Sequence, residues 1–153
     1  MTKGFVISMA IASAALAGSA VAETIAPDAV EIVDMEVAAS LTGQPGDPIA
    51  GRKTFADRGK GNCLACHLNE DLKEQLFHGE VGPPVDGAAD RWTASQLRAI
   101  VVNSKDVFGG QTIMPGFYTL NVGINVAEEY QGKTILTAQE VEDVVAYLMT
   151  LSQ

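Results

Sequence analysis

The chain has 153 residues, 47% of them apolar and 19% charged, with ten Lys and Arg set against nineteen Asp and Glu. One domain fits that length. A formal charge of −9 and a pI near 4.5 exclude a nucleic-acid backbone or an anionic membrane surface as the main partner, since each needs clustered cations. The apolar content excludes a disordered chain. Nine aromatic residues are few for a core of this size, a shortage that a buried cofactor would relieve, and two cysteines cannot build a disulfide scaffold.

Residues 1–22 read as a secretory signal peptide: Lys3 precedes the small apolar run from Phe5 to Ala17, and Ala20-Val21-Ala22 before Glu23 is an A-x-A cleavage pattern. A membrane anchor would need about 20 strongly apolar residues, and this segment is too rich in Ala and Ser. Cleavage before Glu23 leaves 131 residues with nine basic and nineteen acidic side chains, a net −10. No other segment is long and apolar enough to span a bilayer. The expected location is an exported, oxidising compartment, most simply a bacterial periplasm.

Residues 23–46 are acidic and alternate loosely through Val30, Ile32 and Val37, which suggests an extended arm with a short strand. Asp47-Pro48 is a helix start, with a capping carboxylate and proline in the first turn, and the helix is expected over Ile49–Arg58. Glu70–Phe77 has room for a turn or two. Gly82-Pro83-Pro84 and Gly87 make a loop. Thr93 with Gln96 has capping-box spacing, and Leu97, Ile100 and Val101 then place an amphipathic helix over 93–103. Gly109, Gly110, Pro115 and Gly116 make another loop. A second capping box, Thr137 with Glu140, opens a last helix with an apolar stripe of Val141, Val144, Val145, Leu148 and Leu151 over about four turns. These elements define an all-α fold with an N-terminal arm (23–46) and one domain over 47–153.

The chemistry sits in Cys63-Leu64-Ala65-Cys66-His67. Two thiols three positions apart can add across the two vinyl groups of one haem, and the adjacent imidazole is then held under the iron. A zinc site would need neighbouring Cys66 and His67 as ligands together, which fits poorly with the usual spacings. A dithiol redox pair needs a thioredoxin-like βαβ context, absent from this pattern of helices and glycine loops. A disulfide across two intervening residues would constrain little. The reading is therefore one covalently bound haem c with His67 as an iron ligand.

Candidates for the second axial ligand are Met35, Met114, Met149 and His78. Met149 lies on the last helix beside Leu148, Met35 in the acidic arm, and His78 only eleven residues after His67. Met114 sits in the loop Gly109–Gly116, 47 residues after His67, where the chain can cross to the opposite face of a haem and Pro115 restricts its backbone. It is the favoured ligand, because His/Met ligation raises the potential as electron transfer requires.

The haem motif and its setting resemble the class I cytochromes c over about residues 47–151. The resemblance implies that Gly51 and Phe55 on the first helix pack against Tyr147 on the last. It also implies that the Pro83 carbonyl accepts a hydrogen bond from Nδ1 of His67. A narrower similarity runs through Ser40–Pro48 with Gly51-Arg52, Gly61-Asn62, Met114–Tyr118 and Tyr130–Leu148, and it is to the SoxX family, the monohaem subunits of SoxAX cytochromes. Gly116 and Thr134 depart from that family's pattern. The resemblance implies a heterodimer with a SoxA-type haem subunit that oxidatively joins thiosulfate to a cysteine of the carrier SoxYZ, the electrons leaving through haem to a soluble cytochrome c acceptor.

The sulfur chemistry itself is expected on the partner. Thiosulfate is a dianion, this chain is strongly acidic, and it has no third cysteine to serve as a nucleophile once both thiols are thioethers. Arg52, Lys53, Arg58 and Lys60, with Asp57, give +3 in nine residues before the haem motif; they form either a solvated helix face or a docking patch. Residues 119–136 exceed what a minimal haem fold needs, and they are expected near the distal haem edge as a grip for the partner. A free-standing electron carrier is the alternative function.

Overall fold

The computed structural model describes residues 23–153, and the expected signal segment lies outside them. Four α-helices form the frame: α1 (Pro48–Ala56), α2 (Ala88–Arg91), α3 (Ala94–Phe108) and α4 (Ala138–Leu148). Short 3-10 turns lie at Pro27–Ala29, Cys63–Ala65, Glu70–Leu72 and Glu128–Tyr130. Among the described residues there is no strand, only one antiparallel pairing of Val33 with Glu36.

Local chemistry explains the helix starts. Asp47 accepts the Ile49 N–H at 2.8 Å, and Pro48 occupies the first turn, where its missing N–H costs nothing. Thr93 with Gln96 and Thr137 with Glu140 both form complete capping boxes. The first helix ends at Ala56, two residues before its expected limit, because Asp57 leaves helical geometry and its N–H closes on Lys53 and Thr54. The helix expected to stop at Asn103 breaks there, with φ −155° and ψ 92°, then resumes to Phe108. The last helix has three turns rather than four, since Leu151 lies beyond its end, in the core, where its carbonyl accepts the Ala89 N–H at 3.1 Å.

The crossing of α1 on α4 organises the molecule. A Cβ on Gly51 would lie 1.9 Å from the Asp143 carbonyl oxygen, and one on Gly46 would lie 2.0 Å from that of Glu142. Only glycine permits backbones this close. Phe55 then meets Tyr147 edge-on, centroids 5.7 Å apart at 67°. Leu41, Leu72, Leu136, Val141 and Val144 are fully enclosed around this crossing, each worth roughly 1.5–3 kcal/mol relative to exposure.

The short strand expected in the arm is reduced to the single Val33–Glu36 bridge. Asp34 and Met35 take positive φ (51° and 67°) and turn the chain tightly between Val33 and Glu36. Val37 and Leu41 are then buried in the same core as the helices. A buried ion pair holds the arm. Arg98 donates through Nε and Nη2 to Glu142 at 2.8 and 3.0 Å and through Nη1 to the Val37 carbonyl at 2.8 Å. Glu142 Oε1 also accepts the Leu41 N–H at 2.8 Å. Every described buried side-chain nitrogen and oxygen has a partner, as a well-packed core requires.

Candidate haem site

The Cys63–His67 segment is wound by its own short-range bonds. Asn62 adopts left-handed geometry (φ 47°, ψ 36°), and the Cys63 carbonyl accepts the N–H groups of Cys66 and His67 at 3.1 and 2.9 Å. Two glycines then clamp the turn from outside. Gly79 donates to the Leu64 carbonyl at 2.7 Å, and a Cβ there would stand 2.0 Å from the Ala65 oxygen. Gly82 donates to the Cys66 carbonyl at 2.8 Å, and its Cβ would fall 2.3 Å from His67 Cε1. Close approach of backbone to imidazole thus depends on Gly82 having no side chain.

His67 Nδ1 lies 2.7 Å from the Pro83 carbonyl oxygen. A carbonyl can only accept, so Nδ1 donates there, and in the neutral ring this tautomer leaves the Nε2 lone pair for a metal. Arg91 holds the same loop, donating to the carbonyls of Pro84 and Asp86 at 2.8 and 2.7 Å.

Cys63, Cys66, His67, Pro83 and Met114 line a single cleft of about 530 Å³. Its walls include Phe55, Leu97, Phe117 and Leu148, with Arg91 and Trp92 on the rim of the α2 side. Neither cysteine is in a disulfide. Cys63 keeps some surface as a residue, but its sulfur is enclosed, and burial pushes the thiol up to about 12. A redox dithiol needs the opposite shift. Two thiols, an imidazole, a thioether and apolar walls suit a covalently held porphyrin. Among the described residues, no three His, Cys, Asp or Glu side chains gather into a cluster that could hold a metal ion.

The other ligand candidates lie elsewhere. His78 has both ring nitrogens engaged, Nδ1 with the Asn69 N–H at 3.3 Å and Nε2 with the Leu72 carbonyl at 3.1 Å. Met35 is at the tip of the arm turn, and Met149 lines a separate hollow with Ser40 and Arg98. Behind the haem motif, fully buried Asn69 donates to the Tyr147 hydroxyl at 2.9 Å, which donates in turn to Asp71 at 2.8 Å. Burial raises the Tyr147 phenol, and the Arg52 guanidinium holds the Asp71 carboxyl below the ordinary carboxylate range.

The basic run is half neutralised. Arg52 pairs with Asp71 and Glu74, and Lys60 with Glu140. Residues 119–136 line no part of the cleft. Instead, Val122–Ala127 and Tyr130 lie against Arg58, Lys60 and Asn62, and the Tyr130 hydroxyl donates to the Gly59 carbonyl at 3.3 Å. The insert therefore flanks the turn that leads into Cys63.

Three features escaped the sequence reading. Arg91 is the sole cation between Lys73 and Arg98, a signal that could have marked it. Ser104 stands on the apolar stripe of α3, seven residues after Leu97 and three before Val107, where a buried hydroxyl needs a reason. Glu142 interrupts the apolar face of α4 without any local partner to announce its role.

The family model for cytochrome c matches residues 49–152, and the chain belongs to the cytochrome c family. Membership implies a covalently bound haem c, for which the cleft has the required donors. Within the family, the chain is similar to a chain in the crystal structure of SoxXA from P. pantotrophus. They share 44% identity over 84% of this chain and 98% of that one, with a TM-score of 0.77. The similarity to the SoxX family carried by Ser40–Pro48 and Tyr130–Leu148 thus extends over the fold. More distant matches are the c-type cytochrome SorU from Sinorhizobium meliloti (27% identity, 69% of this chain and 90% of that one, TM-score 0.45) and ferric cytochrome c-550 from Paracoccus versutus (19%, 71% and 99%, 0.39). No curated protein matches the chain.

Proposed function

We propose that this chain is the electron-transfer haem subunit of a SoxAX-type complex, paired with a SoxA-type haem subunit that holds the sulfur chemistry. The carrying observation is the 44% identity over 98% of the SoxXA chain. The reaction is the oxidative joining of thiosulfate to a cysteine thiol of a SoxYZ carrier. One sulfur–sulfur bond would form as the S–H bond breaks, releasing a proton and two electrons that a soluble cytochrome c acceptor would finally take up. When bound, the haem supplies a one-electron ferric–ferrous couple. The chain's own residues fix and tune it: Cys63 and Cys66 as thioethers, His67 through Nε2, Met114 through its sulfur, and Pro83 by orienting His67. With both thiols committed and no other cysteine, the chain has no sulfur nucleophile of its own. The working location is the periplasm, after removal of residues 1–22.

Co-expression with a SoxA-type subunit tests this reading. A tagged form of this chain brings down the second haem protein, and its haem is reduced when thiosulfate and SoxYZ are supplied together. A chain that purifies alone and stays oxidised is the free-standing carrier instead. In either case the haem stays with the polypeptide through acid–acetone extraction, and extractable haem would refute the thioether assignment.

A further inference from the structure

The break in α3 is where the Met114 loop is fastened. With Asn103 out of helical geometry, the carbonyls of Val101 and Val102 turn to the loop and accept the N–H groups of Phe117 and Tyr118, both at 3.1 Å. Ser104, with no exposed surface, donates its hydroxyl to the Met114 carbonyl at 2.7 Å. A helical serine would ordinarily bond back to its own preceding turn, so this hydroxyl is diverted to another segment. Lys105 Nζ donates to the Thr112 carbonyl. On the far side of Met114, a Cβ on Gly116 would fall 2.8 Å from Asn103 Oδ1, so the loop and the break are in contact there too. The backbone is therefore held on both sides of Met114, and at Met114 itself by Ser104.

We infer that Ser104 is a positioning residue for the distal ligand: its hydroxyl fixes the Met114 backbone and so sets how firmly the Met114 sulfur competes for the iron. The inference rests on Met114 being the axial ligand. Without the hydroxyl, the Met114 carbonyl loses its donor from the buried Ser104, and the loop lifts more readily.

Imidazole titration of the ferric holoprotein is the test, because imidazole can take the iron only when the methionine leaves. Ser104→Ala is expected to keep the sulfur-to-iron charge-transfer absorption in buffer and to bind imidazole about tenfold more tightly, the equivalent of ~1.4 kcal/mol. Lys105→Met, at a half-exposed tether, gives a smaller rise in the same direction and serves if the alanine variant does not fold. Thr42→Val removes a comparable hydroxyl bond in the arm, to Gln139 at 3.0 Å, and leaves imidazole affinity unchanged. Unchanged affinity in a folded Ser104→Ala, unchanged affinity in Lys105→Met where the alanine variant does not fold, or an equal rise in Thr42→Val overturns the inference. A wild-type ferric protein with no charge-transfer absorption overturns Met114 ligation, and this inference with it.

Discussion

Replacing Glu142 by leucine isolates what the buried ion pair contributes. Glu142 is 4% exposed and Arg98 9%, and the carboxylate accepts three hydrogen bonds, two from Arg98 and one from the Leu41 N–H. Leucine fills the space but leaves the guanidinium with only the Val37 carbonyl and leaves the Leu41 amide unpaired. Breaking a buried pair by removing one partner costs about 3–5 kcal/mol, a large part of the ~5–15 kcal/mol that holds a domain folded. Guanidinium unfolding of the ferric holoprotein, followed at the Soret band, reads that loss. A Glu-specific protease cutting at Glu31 and Glu36 reads release of the arm. The double variant Arg98→Met with Glu142→Leu is expected to recover most of the stability, since no stranded charge remains. A loss below ~1 kcal/mol in the single variant, or no recovery in the double, would refute the reasoning.

Met114→Ala is expected to abolish the sulfur-to-iron absorption and lower the potential by roughly 0.1–0.3 V, a fraction of the ~0.8 V that axial ligands span; redox titration with absorbance checks both. Arg52→Gln removes the main cause of the depressed Asp71 carboxyl. Because that folded-state value lies below the unfolded one, the stability it carries is present at neutral pH and lost as pH falls through the folded value. The acid-unfolding midpoint should therefore move to higher pH, with less than ~1 kcal/mol lost at neutrality for this exposed pair. Replacing residues 121–132 by a short glycine linker should leave the haem spectrum intact and abolish association with the SoxA-type subunit. Co-purification at undiminished yield would show that the insert is only a loop.

What could be read from sequence was local. Both capping boxes join residues three apart, and the spacing of Cys63, Cys66 and His67 is itself the chemistry. The loop bearing Met114 announced itself through Gly109, Gly110 and Pro115. The interruption at Asn103 fell where the apolar spacing of Leu97, Ile100 and Val101 ran out, but the resumption of the helix to Phe108 did not show, because its bonds to the Met114 loop are made by backbone and by Ser104 and Lys105 rather than by an apolar stripe. Leu41 in the arm gave no sign of burial, since the Glu142 carboxylate that accepts its N–H lies 101 positions away. The cations near α1 looked like a free patch because Asp71, Glu74 and Glu140, which neutralise two of them, are distant in the chain.

The distances along the chain also govern how it can fold. Asp47 on Asp143, Ile25 on Tyr118 and Leu41 on Glu142 close loops of 96, 93 and 101 residues, so the arm and the start of α1 cannot complete their bonds until the last third of the chain exists. Topologies dominated by such separations fold slowly, because the entropy of closing the loop is lost before any contact compensates. The CxxCH segment, by contrast, is wound by bonds no more than four residues long. That segment can take its near-final shape while the rest of the chain is still open, which leaves both thiols within reach during the interval before α4 seals the interior.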